Sequence, residues 1–248
     1  MFCDVCVTLN GFLLRKRLSR IVGPEAEARR VAKLRRVATS VGREGQSLFA
    51  WRRRPTLFNV LVAEVMLQHT PTARVVPVYE RFLRSWPSPG RLAVAPISRL
   101  ERTIETLGLH RSRARFLRGL GRSLTRRKGR RSSAQLGALP GIGPYTAGVT
   151  AAVVSRERVG FVDGGIARLV RRFDGQPTMT MRAASDRVAT LMSAGDPRLI
   201  AWGLLDISRT TCRFREPLCL TCDLQGVCRT AAADGPHATK TSGPAALA

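Results

Sequence analysis

Leu139-Pro140-Gly141-Ile142-Gly143-Pro144-Tyr145-Thr146-Ala147 sets two glycines one residue apart directly ahead of a helical pattern, with Pro144 suited to the first turn. A tight turn that aims free N–H groups outward at a helix start binds phosphate without any charged side chain. Taken alone, Gly-x-Gly is equally an ordinary helix–helix turn. The surroundings are helical throughout: Glu25 to Val41, Thr56 to Gln68, Thr72 to Ser85, Ile97 to Thr106, Ser112 to Arg126, Tyr145 to Ser155, Gly165 to Phe173, Met181 to Met192 and Pro197 to Ser208. Gly and Pro separate these segments, and no stretch keeps a period-two alternation, so the expected fold class is all-α.

The 248 residues allow one domain or two small lobes. With 42 Lys+Arg against 17 Asp+Glu the formal charge is +25, which suits a folded protein that sits on polyanion, nucleic acid first. A GC-rich genome also raises arginine content. No apolar run reaches membrane-spanning length, because Asn59 and Glu64 interrupt the best one, Thr56 to Leu67. No signal-peptide pattern is present, so a cytoplasmic, nucleoid-associated protein with no membrane partner is expected. Residues 1–24, with Cys3 and Cys6, read as a disordered basic lead-in, and 231–248 as a disordered tail. The basic run Arg126 to Arg131 reads as a solvated loop able to touch phosphate.

Cys212, Cys219, Cys222 and Cys228 are spaced C-x6-C-x2-C-x5-C. Disulfides are the bland reading, but a cytosolic chain keeps its thiols reduced. Structural zinc generally uses two short hooks and only Cys219 and Cys222 form one, so a [4Fe–4S] cluster is favoured over zinc. Arg209, Arg213, Arg215 and Arg229 flank the ligands, and the loop is expected to present guanidinium groups to an anion.

Phe161-Val-Asp-Gly-Gly-Ile-Ala-Arg168 puts Asp163 at the mouth of the next helix. Together with Glu64-Val-Met-Leu-Gln-His-Thr70, Leu107-Gly-Leu-His110, Leu139-Pro-Gly-Ile-Gly143 and the cysteines, in that order, residues 50–228 resemble the helix-hairpin-helix base-excision DNA glycosylases. The resemblance implies a helix-hairpin-helix lobe over 55–168. It implies a second lobe formed by an N-terminal helix (25–54) and the C-terminal cluster segment (169–230), with a monomeric protein holding mismatched or damaged double-stranded DNA between the lobes.

Such an enzyme must swing a nucleotide out of the stack, fill the gap, and cleave a C–N bond through a cationic sugar. Asp163, at a helix N-terminus, fits the stabiliser of that cation; its bland reading is a plain N-cap. Glu64 shares a face with Leu57, Val60 and Leu61, so a partly desolvated carboxyl with a raised pKa is expected, able to protonate a departing base. The resemblance matches Gln68 and Leu109 to residues that probe or plug the gap, beside His110. It places Gly141, Gly143 and Thr146 of the hairpin, and Arg213 and Arg215, against DNA. Tyr145 stands where bifunctional relatives carry a Schiff-base lysine, and Lys16, Lys33, Lys128 and Lys240 are the chain's only lysines. A tyrosine cannot attack the sugar as an amine, so a monofunctional enzyme releasing an abasic site is expected.

The base itself is underdetermined. Tyr145-Thr-Ala-Gly148 and Glu64-Val-Met-Leu-Gln68 are similar to adenine-mismatch enzymes. Leu109-His110-Arg111 departs from their Gly-Tyr-Tyr wedge, and few residues follow Cys228 where they add a reader of oxidised guanine, so thymine or uracil opposite guanine is the expected target. Adenine removal, a non-catalytic DNA-binding protein and a zinc module are the alternatives.

Overall fold

The computed structural model describes residues 23–126, 129, 131–139 and 141–234; the expectations for the lead-in, most of the tail and part of the Arg126 to Arg131 loop lie outside them. The chain is all-α, with no strand among the described residues. The helices are α1 (Pro24–Glu44), α2 (Ala50–Arg53), α3 (Leu57–Leu67), α4 (Thr72–Ser85), α5 (Pro89–Ala93), α6 (Ile97–Ile104), α7 (His110–Arg126) and α8 (Ser133–Gly137). They continue as α9 (Pro144–Thr150), α10 (Gly164–Asp174), α11 (Met181–Met192), α12 (Pro197–Thr210) and α13 (Arg229–Asp234), with a π-helical turn at Ala151–Ser155 after α9.

Local chemistry sets most of these boundaries. Thr56 caps α3 by accepting from Asn59 N–H (3.2 Å), Thr180 caps α11, and Asp196 with Pro197 opens α12. The sequence reading missed α2, α5, α8 and α13, the last of which runs into residues 231–234 of the tail expected to be disordered. Each is four to six residues long, too short to hold itself together in water, and exists because tertiary packing closes it. Helix α8 has the added support of a capping box, in which Ser132 and Gln135 satisfy each other's backbone N–H groups.

Two hydrophobic cores result. One gathers Trp51, α3, α4, α5, α6, α7 and Leu136, with Ile142 and Ala147 of the hairpin. The other joins α1 to α10, α11 and α12, with Val149, Ala152, Val153 and Phe161. Helices α1 and α12 meet backbone to backbone: a Cβ at Gly42 would overlap the Leu199 carbonyl, and one at Gly203 would overlap that of Ala38. Helix α3 belongs to both cores, since Val60 packs in the second while Phe58, Leu61, Val65 and Met66 pack in the first. No residue of α3 is fully exposed, and its one carboxylate lies half-buried at the junction of the two cores.

Candidate active site

That carboxylate is Glu64. Half-buried, it lines a narrow space of about 20 Å³ at the seam of the cores, with Trp51, Arg52, Val60, Leu67, Val153, Trp202 and Arg209 around it. The volume is about one water site. Burial pushes the Glu64 carboxyl up from 4.5 to about 7, with the negative charge of Asp163 adding to the rise and Arg209 and Arg52 opposing it. The partly desolvated carboxyl read from the sequence is present.

Asp163 caps α10, its Oδ1 accepting the Ile166 N–H at 2.7 Å. The N-cap reading is the one the geometry shows; among the described residues the second oxygen makes no such bond, and the residue is only half-buried. Tyr145, in the first turn of α9, sets its ring edge-on to Phe161 with centroids 6.2 Å apart. Burial first, then the carboxylates of Glu64 and Asp163, raise the Tyr145 hydroxyl well above its ordinary range, so it stays a neutral donor. Three residues from three separate elements thus share one electrostatic neighbourhood.

Arg52 and Arg209 were not singled out for this pocket. Arg52 is buried and binds both oxygens of Asp206 at 2.6 and 2.8 Å, under the rings of Phe49 and Trp202. Within the run Arg52-Arg53-Arg54 no local signal distinguishes the arginine that turns inward. Arg209, expected to flank the cysteines, instead projects toward Glu64 and donates to Thr72 Oγ1 at 3.2 Å.

The residues read as DNA contacts are divided. Gln68 is the exposed cap of α3, and Leu109 stands 65% exposed on a turn with φ of 49°, so both project. His110 is half-buried at the start of α7. Gly141, with φ of 76°, and Gly143 are exposed on the hairpin, and a side chain at Gly141 would strike the Phe116 ring. The Thr146 side chain is buried where the inward face of α9 meets the core, which leaves only its backbone N–H for the DNA contact expected of this residue. Arg213 and Arg215 are exposed. Arg229 turns back to Glu27 (3.2 Å) and the Asp174 carbonyl, joining an ion network of Glu27, Arg30, Asp174 and Arg187 that ties α1 to the end of α10.

The four cysteines line one largely apolar cavity of about 150 Å³ with Leu169, Phe173 and Leu224. Burial, and the proximity of Cys228, Cys212 and Cys219, push the Cys222 thiol up. Arg172 Nη1 lies 3.6 Å from Cys212 Sγ, and Cys228 Sγ points at the Arg172 carbonyl. Among the described residues no three His, Cys, Asp or Glu side chains converge as they would around a single ion. The sulfurs surround a space instead of meeting at a point.

The profile of the HhH-GPD superfamily base excision DNA repair proteins matches residues 62–190. A thymine/uracil-DNA glycosylase of Pyrobaculum aerophilum is 31% identical over 190 residues, 73% of this chain and 83% of that protein. An adenine DNA glycosylase of Mus musculus is 31% identical over 181 residues, 69% of this chain and 35% of that protein. The solved structure of a thermostable thymine-DNA glycosylase superposes with a TM-score of 0.76 at 24% identity, covering 84% of this chain and 99% of the other. Cavity, hairpin and sequence kinship agree, and this chain belongs to the HhH-GPD superfamily of base excision DNA repair proteins.

Proposed function

We propose that the protein is a monofunctional DNA glycosylase that hydrolyses the N-glycosidic bond of thymine or uracil opposite guanine and leaves an abasic site. The observation that carries this reading is the pairing at the seam of the cores: a carboxyl that titrates at about 7, Glu64, beside a helix-capping carboxylate, Asp163. Two carboxyl groups whose surroundings differ divide the labour of glycosidic cleavage into acid and cation stabiliser.

Gln68 and Leu109 enter the duplex where the nucleotide leaves it, and the hairpin glycines and Arg213 and Arg215 hold phosphates. Protonated Glu64 donates to the base as the C1′–N bond breaks. The electron pair leaves with the base, and Asp163 faces the positive sugar. A water adds its oxygen to C1′ and gives its proton to the Glu64 carboxylate, which restores the acid. Tyr145 contributes a neutral hydroxyl and no amine, which supports hydrolysis without strand cutting. Thymine or uracil is favoured because Leu109-His110-Arg111 departs from the Gly-Tyr-Tyr wedge of the adenine-mismatch enzymes, and a thymine/uracil-DNA glycosylase is 31% identical over 190 residues; an adenine DNA glycosylase is equally identical over 181. Adenine removal is the second reading, supported by that identity.

Four cysteines lining one largely apolar cavity support a [4Fe–4S] cluster, since structural zinc generally uses two short hooks and only Cys219 and Cys222 form one. Such a cluster would supply a cross-link that holds residues 212–228, and with them Arg213 and Arg215, in one shape.

The test offers duplexes with G·T, G·U, A·G or adenine opposite oxidised guanine, with and without hot alkali. Strand breaks from G·T or G·U only after alkali are expected. Breaks without alkali overturn the monofunctional assignment, release of adenine alone transfers the assignment to the second reading, and no release from any duplex leaves a DNA-binding protein.

A further inference from the structure

Arg113 lies one helical turn after Leu109 on α7 and is buried, yet among the described residues no carboxylate pairs with it. Its guanidinium is spent on the backbone of two turns. Nη1 donates to the carbonyls of Leu107 (3.0 Å) and Gly108 (2.8 Å), and Nη2 to the carbonyl of Gln68 (2.8 Å) and the hydroxyl of Thr70 (3.3 Å). Thr70 closes the same circuit, bonding the carbonyls of Gln68 and Leu107. An unpaired buried charge is expensive to keep, and a fork of fixed donors suits the joining of several carbonyls.

Both turns are conformationally unfavourable. His69 and Leu109 have φ of 54° and 49°, the left-handed region that L side chains rarely occupy, and Gly108 precedes Leu109 at 74°. The two turns belong to helices far apart in the chain.

We propose that Arg113 is a positioning residue that clasps the Gln68 and Leu109 turns into one preformed two-pronged wedge, so that both prongs enter the duplex together. The inference rests on the reading of Gln68 and Leu109 as the gap-filling pair. Preorganisation of this kind removes the ordering penalty from the step in which the base pair opens.

The test uses duplex DNA carrying 2-aminopurine opposite a tetrahydrofuran abasic analogue, whose fluorescence rises when a side chain unstacks the opposing base. It compares the full-length protein with Arg113→Ala, Arg113→Lys, Leu109→Ala and the Arg113→Ala/Leu109→Ala double variant. Arg113→Ala is expected to bind at low salt but to lose most of the signal, with Arg113→Lys intermediate and the double variant no worse than Leu109→Ala alone. Single-turnover base release should fall by about tenfold to a hundredfold from duplex and by less than about threefold from single-stranded DNA, where no gap needs filling. Undiminished fluorescence in Arg113→Ala, losses that multiply in the double variant, or equal losses on both substrates overturn the proposal. Should Arg113→Ala fail to fold, Arg113→Lys and Thr70→Val carry the same comparison. Because the abasic analogue holds no base to release, absence of the signal in the unmodified protein defeats the wedge reading, whereas a signal insensitive to Arg113 defeats the clasp alone.

Discussion

Arg52 holds both carboxylate oxygens of Asp206, at 2.6 and 2.8 Å, and thereby pins α2 of one core to α12 of the other directly beneath the Glu64 pocket. A planar fork meeting a carboxylate at two points fixes orientation as well as distance. The seam on which the proposed chemistry depends is held by this pair as much as by apolar contact.

Removing one partner strands a buried charge. Asp206→Ala should destabilise the fold by about 3–5 kcal/mol, measured by urea unfolding. Replacing both members with apolar residues should recover part of that loss.

Glu64 makes stability fall as pH rises. Its carboxyl titrates at about 7 in the fold against an ordinary value of 4.5, so between those values the folded state keeps a proton that the unfolded chain has released. The penalty grows across that window to on the order of 3 kcal/mol above it. Glu64→Gln should therefore melt higher than the parent at pH 8 and nearly level with it at pH 4.

The same proton gives a kinetic signature. Base release by the parent should decline above about pH 7 as Glu64 ionises, and Glu64→Gln should be slower with that limb flattened. A single-turnover pH profile reads both.

Asp163→Asn keeps a side-chain oxygen that accepts from Ile166 N–H, and asparagine caps helices about as well as aspartate. The melting temperature and DNA affinity should hardly move. Base release should fall by about a thousandfold, since the neutral amide cannot stabilise a cationic sugar.

Iron and sulfide analysis of the anaerobically purified protein should return about four of each per chain, with a brown colour. Cys222→Ser should lose the colour, and one zinc in a colourless protein would replace the cluster with a simple ion site.

Much of the active-site vocabulary was legible in the order of residues. Glu64 stood out because it shares a helical face with Leu57, Val60 and Leu61, and Asp163 because an aspartate ahead of Gly164-Gly165 begins a helix. The short helices were not legible, since four to six residues carry no periodicity to detect. Nor was the fate of individual arginines. Arg52, Arg113, Arg209 and Arg229 look alike in sequence, and the fold sends them respectively to a carboxylate, to four backbone and hydroxyl oxygens, to the Glu64 pocket and to an ion network.

From the order of amino acids alone came the helical class, the cysteine spacing and the absence of a lysine at the hairpin, because each depends on local pattern or on a residue's own chemistry; the two carboxylates were singled out with the help of the family resemblance. Only the tertiary structure decided that Glu64 titrates near neutrality, that Thr146 faces inward and that one guanidinium joins the Gln68 and Leu109 turns. Those properties arise from groups distant in the chain brought within a few ångströms, where loss of water and shared charge determine what each side chain can do.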